Sequence, residues 1–509
     1  MKKSVLGAVA FCLLAGTLAG CGDNGKGTND NKGAADKEVD NGSEKLALTV
    51  MAASVAGGGW TESNPPIIEK LNEKLNIDLK LQWVPSDNYA EKLNVIAASN
   101  NFPDAFSIPQ TDIFNKWKSR DVFLDIKPHL GKYPNLTKYL DQSGFEFINP
   151  PGKYYGLPHY APAYRDSLVI RQDWLDKLKL KAPTTIDEFY NVAKAFANGD
   201  PDGNGQKDTI GYSLAVAPLG GFINAEFLMG GFGLANGWKE EKGQLIPVQT
   251  QTKELKDFVG FLRKAVDEGV LDKDFAVNKN RDPLNKFEAS KVGFAYANIN
   301  EMRVKTIAPL KKIDPNSNVV QLLPPKGPTG LQATPTLAST GKMVINAKTD
   351  AKKQQRLLKL FDYMASDEGY DLIKNGIEGV HYKKNANGAY EMLPAFSTDR
   401  PQLISTWMFR RYDPGIQIRK WDEKEFADQV DSWYKANEKF SWPNPGLGLD
   451  SEMLTKQGTN LYQKWTETLV KVIYGKEPLE SIDKAVADWK SGGGDKIVEE
   501  INAEYKKTK

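Results

Sequence analysis

Cysteine and histidine are almost missing from this chain. Of its 509 residues only Cys12 and Cys21 carry a thiol, and only His129, His159 and His381 an imidazole. That scarcity argues against a zinc site built from those side chains, and a metal would have to be a hard cation bound by oxygen. Charge of one sign is lacking as well. Lys and Arg number 67 against 65 Asp and Glu, without a block of five like charges, which argues against a nucleic-acid partner. Past the first twenty residues there is no run of 18 apolar residues to span a bilayer. Gly-x-Ser-x-Gly, the phosphate-binding Gly-x-x-x-x-Gly-Lys and His-Glu-x-x-His are all absent.

What is present begins with Met1-Lys2-Lys3, an apolar stretch from Val5 to Leu18, and Leu18-Ala19-Gly20-Cys21. A basic head, a short apolar run and small residues before a cut site describe an export signal over 1–20. Leu-Ala-Gly-Cys resembles the lipobox of bacterial lipoproteins, which implies that Cys21 becomes a lipid-bearing amino terminus held at the outer face of the cell membrane. Cys12 lies in the segment to be removed, so the mature chain has one thiol and no internal disulfide. Its stability must come from apolar cores, and a chain this long can bury more than one. Residues 21–45 are rich in Gly, Asn, Asp, Lys and Ser and read as a flexible tether.

The body opens with a strand-like run from Leu46 to Ala53 and a glycine loop, Gly57-Gly58-Gly59-Trp60. A helix from Pro66 to Leu75, an alternating strand from Ile77 to Val84, a helix from Asn88 to Ser99 and a strand from Pro103 to Ile108 follow. That β-α-β-α-β order predicts an α/β sheet, and ligands bind such sheets beyond the carboxyl ends of the strands. The Gly57 to Trp60 loop and the Pro109-Gln110 turn are thus candidate crevice walls. Further on, Thr185-Ile186-Asp187-Glu188 reads as a capping box opening a helix with Phe189, Val192, Ala193 and Phe196 on one face. Amphipathic helices are also predicted from Glu254 to Glu268 and around Ile482 to Trp489. The chain is too long for one core, so two lobes are expected.

Asp200-Pro201-Asp202-Gly203-Asn204-Gly205-Gln206-Lys207-Asp208 matches the first nine positions of an EF-hand-type loop. Side-chain oxygens fall at positions 1, 3, 5 and 9 on Asp200, Asp202, Asn204 and Asp208. Gln206 would offer its backbone carbonyl, and Gly205 permits the sharp turn. The expectation is a structural calcium, although position 12 is Gly211 and not the usual bidentate Glu.

Four stretches together resemble the family 1 extracellular solute-binding proteins of ABC importers, in the long lipoprotein branch related to alginate-oligosaccharide-binding proteins. They are Ala97-Ala98-Ser99 leading to Phe102-Pro103-Asp104; Gly152 to Pro158 followed by Leu168 to Leu175; Phe287-Glu288-Ala289-Ser290-Lys291-Val292-Gly293; and Ser366-Asp367-Glu368-Gly369-Tyr370. The resemblance implies a two-lobed, type II periplasmic-binding-protein-like α/β fold with a hinge, closing on its ligand like a jaw. Carried over, the first lobe takes 46–162 and 339–400 and the second 163–338 and 401–509. It also implies a calcium in a loop like 200–211, where relatives carry an acid just after the ninth position and this chain has Thr209.

The implied function is non-enzymatic. A monomer captures an oligosaccharide outside the membrane and presents it to the permease of an ABC transporter. By position in the family pattern the ligand would meet Trp60 and Gln110 from the first lobe and Tyr160, Tyr164 and Arg165 at the first crossing. Phe222, Asn298 and Asn300 would come from the second lobe, with Trp442 capping one end. Aromatic faces suit the C–H side of sugar rings and fixed polar groups their hydroxyls. Two other readings stay open: a tethered glycan-degrading enzyme, which needs only two carboxylates, and a binder of peptides or other small polar solutes on the same scaffold.

Overall fold

In the computed structural model, residues 39–54, 65–109, 114, 117, 118, 120–140, 144, 145, 149, 152–217, 220–336 and 341–507 are described. The export signal, Cys21, the Gly57 to Trp60 loop and Gln110 lie outside them.

Alternation makes β1 (Leu46–Ser54) a strand: Leu46, Leu48, Val50 and Ala52 face one core while Met51 faces another. α1 (Pro66–Leu75) begins on a proline and ends at Asn76 in the left-handed conformation. The chain then returns as β2 (Ile77–Pro85), parallel to β1 with Leu46 opposite Ile77. α2 (Ser86–Ser99) leads to β3 (Ala105–Pro109), parallel to β1 on its other side. The expected β-α-β-α-β unit is thus formed. After β4 (Leu157–Pro158) the chain enters a second sheet, in which β5 (Asp166–Arg171) lies between β6 (Phe294–Asn298) and β7 (Val319–Gln321), both antiparallel to it. β8 (Gly341–Ile345) then returns to the first sheet, antiparallel to β3 and β4, giving the order β2-β1-β3-β8-β4.

Two large cores accompany the two sheets. The first runs from Leu46 to Phe145, then from Met343 to Ile373, and closes with Ile404, Met408 and Phe409. Phe409 stacks on Phe361 at 5.8 Å, so the first lobe extends past residue 400, where a boundary was expected. The second core runs from Leu168 to Phe294 and is completed by Leu461 to Ile501.

Its helices include α3 (Ile186–Asn198), α4 (Glu226–Gly231) and α5 (Thr252–Asp267). α3 carries the full capping box, with the Glu188 amide donating to Thr185 Oγ1 and the Glu188 carboxylate accepting from Thr185 N. α5 buries Leu255, Phe258, Val259 and Leu262, the stripe read from the sequence. In the remainder of the chain α6 (Ala351–Ala365) packs on the first sheet, while α7 (Lys424–Glu438) and α8 (Glu452–Ile473) pack on the second side.

The polar stretch expected to be free as far as Lys45 is held from Asp40 onward. Arg356 of α6, fully buried, binds both Asp40 carboxylate oxygens at 2.6 Å and donates to the carbonyls of Glu44, Leu75 and Asn76. Composition alone gave no sign of this because the partner is more than 300 residues away.

Candidate functional site

The link from β4 to β5 places a cluster of rings and charges where the two lobes meet. Tyr160 is buried, its ring 4.8 Å from that of Tyr412, and its hydroxyl lies 3.4 Å from that of Tyr434 on α7. Tyr164 meets the Tyr434 ring edge-on at 5.5 Å and donates to Ser441 Oγ. Asn437 of α7 fixes the link from behind, donating to the carbonyls of Tyr164 and Asp166. Arg410 reaches the Tyr160 carbonyl from the opposite side. The expected pair Tyr160 and Tyr164 is therefore brought together, with Tyr412 and Tyr434 as rings that the sequence reading missed.

Polar groups gather at the adjoining end of the second sheet. Asp166 opposes Asn298 in register, and Arg165 Nε stands 3.8 Å from Asp166 Oδ1. The Asn298 carbonyl oxygen of the side chain accepts from the Asn300 amide. Asn300 is only 5% exposed, yet neither its Nδ2 nor its Oδ1 has a hydrogen-bond partner. The same holds for Arg165 Nε, Glu226 Oε2, Tyr212 Oη and Tyr296 Oη. A buried polar atom without a partner is costly, and native proteins carry few of them, so a concentration in one place calls for a partner from outside.

Electrostatics joins these groups. Burial, with the charge of Asp166 adding to it, pushes the Glu226 carboxyl up to about 7. Burial also raises Asp166, against the pull of Arg165. Both Tyr212 and Tyr296 are driven upward by burial and then by Glu226. Glu226 escaped the sequence reading; its only local signal is an acidic residue inside the apolar run Phe222-Ile223-Asn224-Ala225-Glu226-Phe227-Leu228.

Phe222 and Trp442 are placed differently from expectation. Phe222 is buried in the second core, edge-on to Phe258 at 5.7 Å, which leaves it no free face for a ligand. Trp442 is half-buried against that core, and its indole N–H donates to the Leu234 carbonyl. It adjoins the site only through its neighbour Ser441, which accepts from Tyr164.

The 200–208 loop brings part of a cation shell together. Asp200 Oδ1 and Asp202 Oδ1 are buried without partners, and the two carboxylates abut one another, as oxygens awaiting a cation would. Asn204 Nδ2 bridges Asp202 and Asp208, while Asp208 also pairs with Lys291. The Gln206 amide donates to Asn204 Oδ1. Among the described residues no three acidic or histidine groups converge on one point, so the shell expected from spacing alone is incomplete as folded. Position 12 could not hold a Glu: a Cβ on Gly211 would lie 2.4 Å from the Ala193 carbonyl oxygen and 2.7 Å from that of Val270. Asp200, Asp202 and Asn204 fit a hard cation, with Asp208 available once Lys291 releases it.

Two α/β lobes with clustered tyrosine rings and unsatisfied polar groups at their junction define a solute-binding protein. The chain belongs to the bacterial extracellular solute-binding protein family, whose family model matches residues 58–371. It is 29% identical to the polygalacturonan/rhamnogalacturonan-binding protein YtcQ of Bacillus subtilis strain 168, over 100% of this chain and 99% of that protein. To lipoprotein LipO of the same organism it is 28% identical, over 98% of each. Among solved structures, an EF-hand mutant of the FusA substrate-binding protein of S. pneumoniae, in complex with fructo-nystose, shares the fold. Its TM-score is 0.68 at 20% identity, covering 91% of this chain and 99% of that one.

Proposed function

We propose that this protein captures an oligosaccharide between its lobes outside the cell and hands it uncut to the permease of an ABC importer. The observation that carries the reading is the junction itself. Tyr164 and Tyr412 supply ring faces, backed by the buried Tyr434 and Tyr160, and Asn300, Arg165 and Glu226 supply buried hydrogen-bonding atoms that the protein leaves unused. That is the combination a pyranose needs. The full-length likeness to a pectin-fragment binder makes acidic plant oligosaccharides the first ligands to try. Trp60 and Gln110 complete the first-lobe side, Asn298 the second, and Trp442 flanks it.

Cys21 carries the lipid that keeps the protein at the membrane, in keeping with the likeness to LipO. The 200–208 loop binds a structural calcium through Asp200, Asp202, Asn204, the Gln206 carbonyl and Asp208, and the protein works as a monomer.

One observation favours a second reading: a carboxyl raised to about 7 beside another acid is also the equipment of a glycosidase. Both are tested together by thermal unfolding of residues 39–509 against a panel of neutral and uronic-acid oligosaccharides, with the sugar recovered afterwards. A ligand bound only by the folded state raises its stability. A saturable upward shift with intact sugar supports capture. Reducing ends released by the wild type and lost in Glu226→Gln would establish the enzyme, and a shift with peptides alone would remove the sugar.

A further inference from the structure

Lys342 is a buried lysine of the first lobe whose amine lacks a hydrogen-bond partner. It lies on β8 opposite Ile108 and Pro158, at the end of the sheet where β4 leaves for the second lobe. Its side chain faces the same way as Val344, toward the smaller core of Met51, Phe106 and Trp117. The residue is 0% exposed, its Nζ has no hydrogen-bond partner, and the amine sits 3.3 Å from the centre of the Phe114 ring. Two charges lie nearby, Lys118 of the first lobe and Asp450, which precedes α8 of the second, and these pair with each other at 2.9 Å across the junction.

The Phe114 face takes the amine as a cation–π partner, but a ring supplies neither a hydrogen-bond acceptor nor a counter-charge for a desolvated ammonium. The second-lobe wall mixes the acids Asp166 and Glu301 with Arg165 and Arg410, whereas the first-lobe side carries Lys342 and Lys118, the latter held by Asp450. A ligand carboxylate that displaces Asp450 meets two amines there.

We propose that Lys342, with Lys118 beside it, is the subsite for a carboxylate on the bound glycan, and that it selects uronic-acid oligosaccharides over neutral ones. This rests on the capture reading above. The incoming carboxylate takes the role that Asp450 now plays toward Lys118 and gives the Lys342 amine its missing partner. Burial and Lys118 hold that amine down to about 6, so it is largely uncharged until an anion arrives. The ligand is thereby oriented, with its acid toward the first lobe and its hydroxyls toward Asn300 and Glu226.

The test compares trigalacturonate with the neutral trisaccharide in which each carboxylate is replaced by a hydroxymethyl group, by calorimetric titration of wild type, Lys342→Met and Lys342→Gln. The expected result is a preference of wild type for the acid and a loss of tenfold or more in its affinity in both variants. Binding of the neutral sugar should stay within threefold, and ligand-free unfolding should be unchanged or occur at higher temperature. Equal losses for both sugars, no loss for the acid, or a wild type that does not favour the acid would overturn the subsite. If the wild type binds neither sugar nor any other oligosaccharide, the capture reading falls with it; binding of neutral sugars alone removes only Lys342.

Discussion

Arg356 encloses Asp40 in a two-point ion pair that fastens the start of the folded body to α6. The pair is buried, and the guanidinium also collects three backbone carbonyls, so its charge is well satisfied only while Asp40 is ionised. Removing the carboxylate charge with Asp40→Asn should lower stability by about 1–3 kcal/mol, read by urea unfolding. The hydrogen bonds of Arg356 hold the Asp40 carboxyl below its ordinary value. A depressed carboxyl contributes stability above its unfolded pKa of about 4, and that contribution is lost as pH falls through the folded value. The variant should therefore show a flatter acid limb than wild type.

Glu226 should behave in the opposite sense. Its carboxyl is raised to about 7, so the ligand-free protein has the full benefit of the neutral acid below about pH 4 and loses stability as pH climbs toward 7 and beyond. Glu226→Gln should remove that slope and leave the variant more stable than wild type at pH 8, by an amount on the order of 2–3 kcal/mol. Equal slopes in the two proteins would show that the carboxyl is not held in this environment.

Calcium should raise the unfolding temperature and a chelator lower it, with both effects absent in the double variant Asp200→Asn, Asp202→Asn. Lys291 competes for Asp208, so Lys291→Met should tighten calcium binding, measured by titration. A wild type indifferent to calcium and chelator would dismiss the ion.

Tyr412 is 53% exposed, its ring tilted against that of buried Tyr160. Its ring is available to a sugar without being part of a core, so Tyr412→Ala should cost oligosaccharide affinity about 1–2 kcal/mol, roughly tenfold in Kd, with little change in unfolding temperature. A drop in stability with unchanged affinity would make Tyr412 a packing residue.

Legibility in the sequence followed distance along the chain. The capping box at Thr185 and Glu188, the stripe of α5 and the opening β-α-β-α-β unit are set by neighbours a few residues apart, and pattern reading found them. The tyrosine partners of Tyr160 come from residues 412 and 434, the like-charged acid near Asp166 from 226, and the clamp on Asp40 from 356. No periodicity records such meetings. Phe222 shows the converse error: family position suggested a ligand face, whereas its strand partner and Phe258 close over it. For Glu226 and Lys342 the signal was a lone charge within an apolar run, visible in the sequence but without direction until the sheets were formed.

The cores are assembled from remote pieces: the first joins Leu46 to Phe409 and the second joins Leu168 to Ile501. The first can close once Phe409 has been made, whereas the second waits for Ile497 and Ile501 in the helix Asp495–Lys506. Contacts so distant in sequence make for slow acquisition of structure. A polypeptide that stops near residue 450 would thus be left with one finished half and one open apolar face, a target for proteases and aggregation, so selection should act on the apolar residues from Leu461 to Ile501 as strongly as on those at the junction.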